Sequence, residues 1–148
     1  MVGLLDPDIH TPSAVLVRSP FLFTVICAMA SRYLRFHPEK ESYADVYSLA
    51  MHYAKTAAAS ALIDGRKCVE MCQAYILMSL YAPKGKRFDE DRTWFYSGVA
   101  MRLATDLGLH EIPAQPEASD ERTVREWRNL IRTWLVRTSR LMFYKILI

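Results

Sequence analysis

Apolar side chains recur at three- and four-residue steps along almost the whole chain, and no stretch alternates apolar and polar residues long enough for a half-buried strand. That periodicity restricts the fold to the all-α class. Ser19-Pro20 offers an N-cap followed by a proline at the first helical position. Phe21, Leu22, Val25, Ile26, Met29 and Tyr33 then form one apolar face of a helix predicted to reach about Phe36, where Pro38 stops it. A second helix is predicted from the capping box Ser42-Tyr43-Ala44-Asp45 to Gly65. Its alanine-rich part, Ala57-Ala58-Ala59-Ser60-Ala61, lets another backbone approach closely.

A third helix, from about Arg66 to Tyr81, is apolar on nearly every face and reads as the central, buried one. A fourth spans about Arg92 to Leu107, with Gly108 as its left-handed terminator. Gly98 inside it costs about 1 kcal/mol relative to Ala, so a packing reason is expected. After a proline-broken loop at 111–118, a fifth helix starts at Ser119 or at the capping box Thr123-Val124-Arg125-Glu126. Short connections at 64–66 and 82–91 favour antiparallel neighbours. The expected architecture is an antiparallel bundle or array of about five helices.

The chain has 148 residues, 51% of them hydrophobic and 24% charged, at a mean hydropathy of zero. Disorder is excluded, because it needs low hydrophobicity and high net charge. The longest apolar run, Phe21 to Ala30, is shorter than the roughly 20 residues that cross a bilayer, so no membrane is expected. Cys27, Cys68 and Cys72 read as reduced thiols of the cytosol or nucleus. The positive excess is local: residues 119–148 hold seven basic and three acidic side chains.

Candidate chemistry is sparse. Cys68 and Cys72 share a helix face at i and i+4, which is half of a tetrahedral zinc site, but no histidine or cysteine pair supplies the rest. They read as small core hydrophobes. Cys27, in the middle of the most apolar helix, is expected to be buried and inert. His10, His37, His52 and His110 fall in no metal motif, and no nucleophile elbow or phosphate loop occurs, so no enzyme is expected.

The arginines Arg122, Arg125, Arg128, Arg132, Arg137 and Arg140 form a basic stripe with Trp127, Ile131 and Trp134 interleaved at core spacing. The preferred reading is the solvated face of a packed helix. The alternative is a small helical protein that neutralises nucleic-acid phosphates with this helix. Lys84-Gly85-Lys86-Arg87 and Asp89-Glu90-Asp91 read as a charge-balanced loop. Arg102, with Asp106 one turn on, and His110, after the terminating glycine, are either structural or line a pocket between helices.

The run Trp94-Phe95-Tyr96-Ser97-Gly98-Val99-Ala100-Met101-Arg102-Leu103-Ala104-Thr105-Asp106-Leu107-Gly108-Leu109-His110 resembles the signature of the fungal-specific transcription factor domain, the regulatory middle homology region of fungal zinc-cluster transcription factors. Ser19-Pro20-Phe21-Leu22, the alanine-rich helix, the Gln73-containing helix, and Arg128 with Arg132-Thr133-Trp134 resemble other parts of it. The wording is nearest to activators of secreted proteases.

The resemblance covers about residues 13–136. It implies an all-α regulatory domain in a nuclear protein, with Trp94, Arg102, His110 and Trp134 as effector-pocket or structural signature residues. Arg122, Arg125, Arg128 and Arg132 form its basic surface. Implied partners are the transcription machinery, other domains of the full regulator, and a small-molecule effector. DNA is contacted only through a six-cysteine, two-zinc module that this chain does not contain, so zinc is expected there and no cofactor here. Residues 137–148 depart from the family pattern as an atypical tail, and the expectation is an incomplete part of a larger helical domain.

Overall fold

The computed structural model describes residues 3–33, 40–81, 87, 90–111 and 120–146, with the side chains of 40–44 and 137–146 outside the described set. The chain order is α1 (Pro12–Arg18), α2 (Pro20–Ser31), α3 (Lys40–Ile63), α4 (Val69–Tyr81), α5 (Thr93–Asp106) and α6 (Glu121–Ile146). The described residues contain no strand, so the all-α class holds, with six helices rather than about five.

The additional helix, α1, has seven residues, too few for a periodicity to emerge. Thr11 caps it by accepting from the Ala14 N–H at 3.4 Å, with Pro12 pre-set for the first turn. Ser19 then takes an extended conformation that breaks the chain and caps α2, accepting from the Leu22 N–H at 3.2 Å. α2 ends at Ser31, short of the expected Phe36; Pro38 lies outside the described residues. Phe21, Leu22, Val25 and Met29 are buried as predicted, but Tyr33 is exposed. Cys27 is also exposed, which corrects its expected burial. In a helix this uniformly apolar, periodicity cannot fix which face turns inward.

α3 and α5 end in the same way, and both endings were legible in the sequence. Gly65 and Gly108 each sit at a φ of 68°. Around Gly65, the Arg66 N–H donates to the Ala61 carbonyl (3.0 Å) and the Gly65 N–H to that of Leu62 (3.2 Å). Around Gly108, the Leu109 N–H donates to Ala104 (3.0 Å) and the Gly108 N–H to Thr105 (3.0 Å). Both are Schellman caps, which need a residue at ease in the left-handed region.

The core is organised around α4, whose residues Met71 to Met78 are all buried. α4 packs on α2, α5 and α6, while the extensive partner of α3 is α2. The tight 64–66 connection had favoured α3 and α4 as neighbours. Instead the apolar faces of α4 are taken up by the other three helices. The buried face of α3 is a stripe of small residues, Ala54, Ala58 and Ala61 with Met51, as close helix approach requires. Helix α3 is already formed at Lys40, ahead of the expected box at Ser42, whose side chain is outside the described set. Most of the charged loop at 84–91 and the loop at 112–118 are also outside it.

α6 is preceded by Asp120, which accepts from the Arg122 N–H at 3.2 Å. Thr123 therefore lies inside the helix and is not its cap. The backbone of α6 continues unbroken into the 137–146 stretch. Residues 4–10 also belong to the packed structure, with Leu4 at 1% and Ile9 at 8% exposure.

Among the described residues Gly98 has no packing role: a Cβ there meets none of them within 4 Å. The same substitution at two glycines of one sequence motif is therefore expected to have opposite signs. Gly98→Ala should stabilise by about 1 kcal/mol through helix propensity. Gly108→Ala should destabilise by about 1–2 kcal/mol because it forces a left-handed alanine. Urea unfolding of the two variants checks both signs.

Candidate functional site

The signature residues of α5 divide between two places. Arg102 points outward, its side chain 83% exposed, and pairs with Asp106 at 3.2 Å. Asp106 also accepts from Lys67 at 2.8 Å. The Lys67 hydrogen bond, with help from Arg102, holds the Asp106 carboxyl below its ordinary pKa. Trp94, at the start of α5, is 65% exposed and stands edge-on to Phe95. At the other end, about 20 Å away along a helix of this length, the Schellman cap buries Leu109 and sets the His110 ring 6.1 Å from that of Trp134. His110 and Trp134 thus meet, joining α5 to α6. Trp94 and Arg102 stand apart from them and from each other.

The basic face of α6 is largely committed to acids of the same chain. Arg125 donates to Glu121 at 2.7 Å, contacts the Asp8 carboxylate directly, and lies 3.7 Å from Asp6. Arg132 reaches Asp6 at 3.1 Å. Arg122 pairs with Glu126 at 3.5 Å, and Glu126 also accepts from Arg18 at 2.9 Å. Arg128 is exposed, with no ion pair among the described residues.

Asp6 is the centre of this clasp and only 7% exposed. The Asp8 backbone N–H, 3.1 Å from its carboxylate, does most to lower its pKa; burial opposes this, and Arg132 and Arg125 add to the lowering. A carboxylate depressed below its ordinary 3.8 contributes stability that is fully present above that value and is lost as pH falls through the folded one. Wild type is therefore expected to be more stable than Asp6→Asn near neutral pH. The two unfolding midpoints should converge as pH falls through the lowered pKa of Asp6. A parallel pair of thermal melts across acid pH checks this.

Behind the arginines, α6 is fixed to α4 by a buried polar group. Gln73, fully buried, donates through Nε2 to Asn129 Oδ1 at 2.8 Å and to Thr133 Oγ1 at 3.1 Å. The Thr133 hydroxyl donates to the Asn129 carbonyl at 2.8 Å. Oε1 of Gln73 is buried without a partner among the described residues. In the sequence Gln73 was only one polar letter in an apolar helix.

A groove that sequence reading missed runs between α3 and α5 over α4. One hollow, of ≈ 340 Å³, is lined by Lys55, Ala58, Ala59 and Leu62 from α3, Tyr75 and Met78 from α4, and Phe95 and Tyr96 from α5, with Arg92 at its rim. A second, of ≈ 410 Å³, shares Lys55, Arg92 and Tyr96 and adds Tyr47, Met51, His52, Glu90 and Asp91. Burial pushes the Tyr75 phenol up to about 12 and raises that of Tyr96, so both stay protonated near neutral pH. The alanines read as a close-approach surface account for both sides: Ala58 faces the core, and Ala59 leaves space in the groove.

The cysteines are all free; burial pushes the Cys68 thiol up, and Cys72 is buried. Among the described residues no group of three His, Cys, Asp or Glu side chains is placed to hold a metal. No helix among them is long and apolar enough to cross a membrane.

Residues 7–135 match the family model of the fungal specific transcription factor domain. The chain belongs to that family. The chain is also similar to Protein priB of Lentinula edodes, 32% identical over 136 residues, which are 91% of this chain and 20% of that protein. The chain thus spans about one fifth of the length of the curated relative it matches. No solved structure matches it. Fungal specific transcription factor domains are not an enzyme family, and membership places the chain with fungal transcription regulation. In this fungal specific transcription factor domain, the Leu-Gly-Leu-His of the signature is first a helix terminator. Its glycine takes the left-handed turn, its second leucine enters the core, and its histidine meets α6.

Proposed function

We propose that this domain is the regulatory, effector-responsive or inhibitory part of a fungal zinc-cluster transcription regulator acting in the nucleus. Its partners are the transcription machinery or other domains of the full protein, and a small-molecule effector. DNA is read by a zinc-bearing module elsewhere in that protein. The observation that carries the reading is the internal pairing of α6, where Arg122, Arg125 and Arg132 are held by Glu126, Glu121 and Asp6. Arginines spent on internal carboxylates release fewer counterions from a nucleic acid, so the basic helix serves packing rather than DNA reading. Three cysteines cannot supply a six-cysteine, two-zinc cluster, and no step here passes through zinc.

Membership of a larger helical domain has its own support. Val46, Leu49 and Tyr53 leave an apolar stripe exposed on α3 at helical spacing, a surface that a neighbouring element would cover. Arg102 and Trp94, both outward-facing, suit contact with such a neighbour, whereas His110 and Trp134 suit the α5–α6 joint.

A salt-titrated mobility shift with random-sequence duplex DNA tests the division of labour. The isolated chain is expected to give no shift at low salt. A shift that weakens steeply with added salt would favour the alternative, a nucleic-acid-binding protein using the C-terminal helix.

A further inference from the structure

We propose that the groove between α3 and α5 binds an amphipathic carboxylate, an aromatic or medium-chain aliphatic acid, with its apolar body over Tyr75, Met78 and Phe95 and its anionic end between Lys55 and Arg92. This rests on the effector-responsive reading above and names the chemistry of the effector.

Three observations converge on that ligand class. The smaller hollow is walled by aromatic and aliphatic side chains, and among the described residues its charged ones are Lys55 and Arg92. Its size of ≈ 340 Å³ lies within the range of small-molecule sites. Most other cations of the described surface are already engaged: Arg18, Arg66, Lys67, Arg102, Arg125 and Arg132 each meet a carboxylate. Lys55 and Arg92 have no ion pair among the described residues, although both flank the same hollow.

The acids nearby set the direction of binding. Lys55 and Arg92 face both hollows, but among the described residues Glu90 and Asp91 line only the wider one, so an anion is better placed at the apolar end, away from the two acids. The phenols of Tyr75 and Tyr96 remain neutral, so neither repels a carboxylate. Arg92 makes no side-chain capping bond to α5, so replacing it removes charge without removing a helix cap.

The test is calorimetric titration of the chain with phenylacetate and with octanoate, each against its uncharged counterpart, phenylethanol or octanol. The acids are expected to bind at least tenfold tighter than the alcohols. Lys55→Gln and Arg92→Gln are each expected to weaken the acids about tenfold while leaving the alcohols unchanged. Ala59→Trp, at an exposed helix position that tolerates bulk, is expected to abolish binding of all four by filling the hollow. Arg102→Ala, outside the groove, should bind as wild type. Equal affinity for acid and alcohol, or acid binding unchanged in folded Lys55→Gln and Arg92→Gln, overturns the assignment. If no acid binds but the chain, fused between a heterologous DNA-binding domain and an activation domain, still represses a reporter, the groove assignment falls and the regulatory reading stands. If both fail, both fall.

Discussion

Tyr75→Ala is expected to lower the unfolding free energy by about 3–5 kcal/mol, the range for removing a large aromatic ring from a packed core. Tyr75 is 1% exposed, on the helix that packs against three others. Its ring meets that of Phe21 from α2 edge-on at 5.2 Å and lies 6.3 Å from that of Tyr96 on α5. Truncation therefore takes one member from an aromatic row joining three helices, and backbone collapse cannot refill the space while α4 is held on both sides. In a domain of this size the midpoint should fall by on the order of 10 °C. Tyr75→Phe keeps the ring and is expected to change stability by less than about 1 kcal/mol. Urea unfolding of the three proteins decides. A loss under about 1 kcal/mol for the alanine variant would mean that α4 is not the centre of the core.

The second large effect lies at the α4–α6 joint. Asn129→Leu removes the acceptor of the 2.8 Å bond from Gln73. The remaining amide is fully buried, keeps only Thr133 as a partner, and already has Oε1 unpaired. Leaving a buried donor unmet costs about 1–3 kcal/mol, whereas removing both partners together is nearly neutral. Asn129→Leu is therefore expected to cost about 1–3 kcal/mol, and adding Gln73→Leu should recover most of it. A double-mutant cycle measures the coupling directly. Additive effects of the two substitutions would show that the pair does not act as a unit.

Features written in local physics were legible in the sequence. α4 announced itself because an all-round apolar helix can only be central. Gly65 and Gly108 did so because a helix followed by glycine ends in a left-handed cap. α1 escaped because seven residues hold too little periodicity. Tyr33 and Cys27 were assigned the wrong side because an evenly apolar helix does not mark its inner face.

The functional features escaped for a different reason. The carboxylates that hold Arg125 and Arg132 come from Asp6 and Asp8, more than a hundred residues earlier, so the stripe looked freer than it is. A shorter separation, 56 and 60 residues, still hid the Gln73–Asn129–Thr133 joint. The α3–α5 groove arises from helices brought together across α4, and only its alanine side left a trace in the sequence. His110 and Trp134 were picked out by family resemblance, and the cap geometry gives the physical reason they meet.

The most direct test of the regulatory role is a reporter assay in a fungal host. The chain is fused between a heterologous DNA-binding domain and an activation domain, and output is compared with the same fusion lacking it. Output is expected to fall severalfold at equal protein level, and no output is expected when the heterologous DNA-binding domain is removed. Unchanged output with the chain in place, or activity that persists without the added DNA-binding domain, would contradict a regulatory domain that depends on another module to reach DNA.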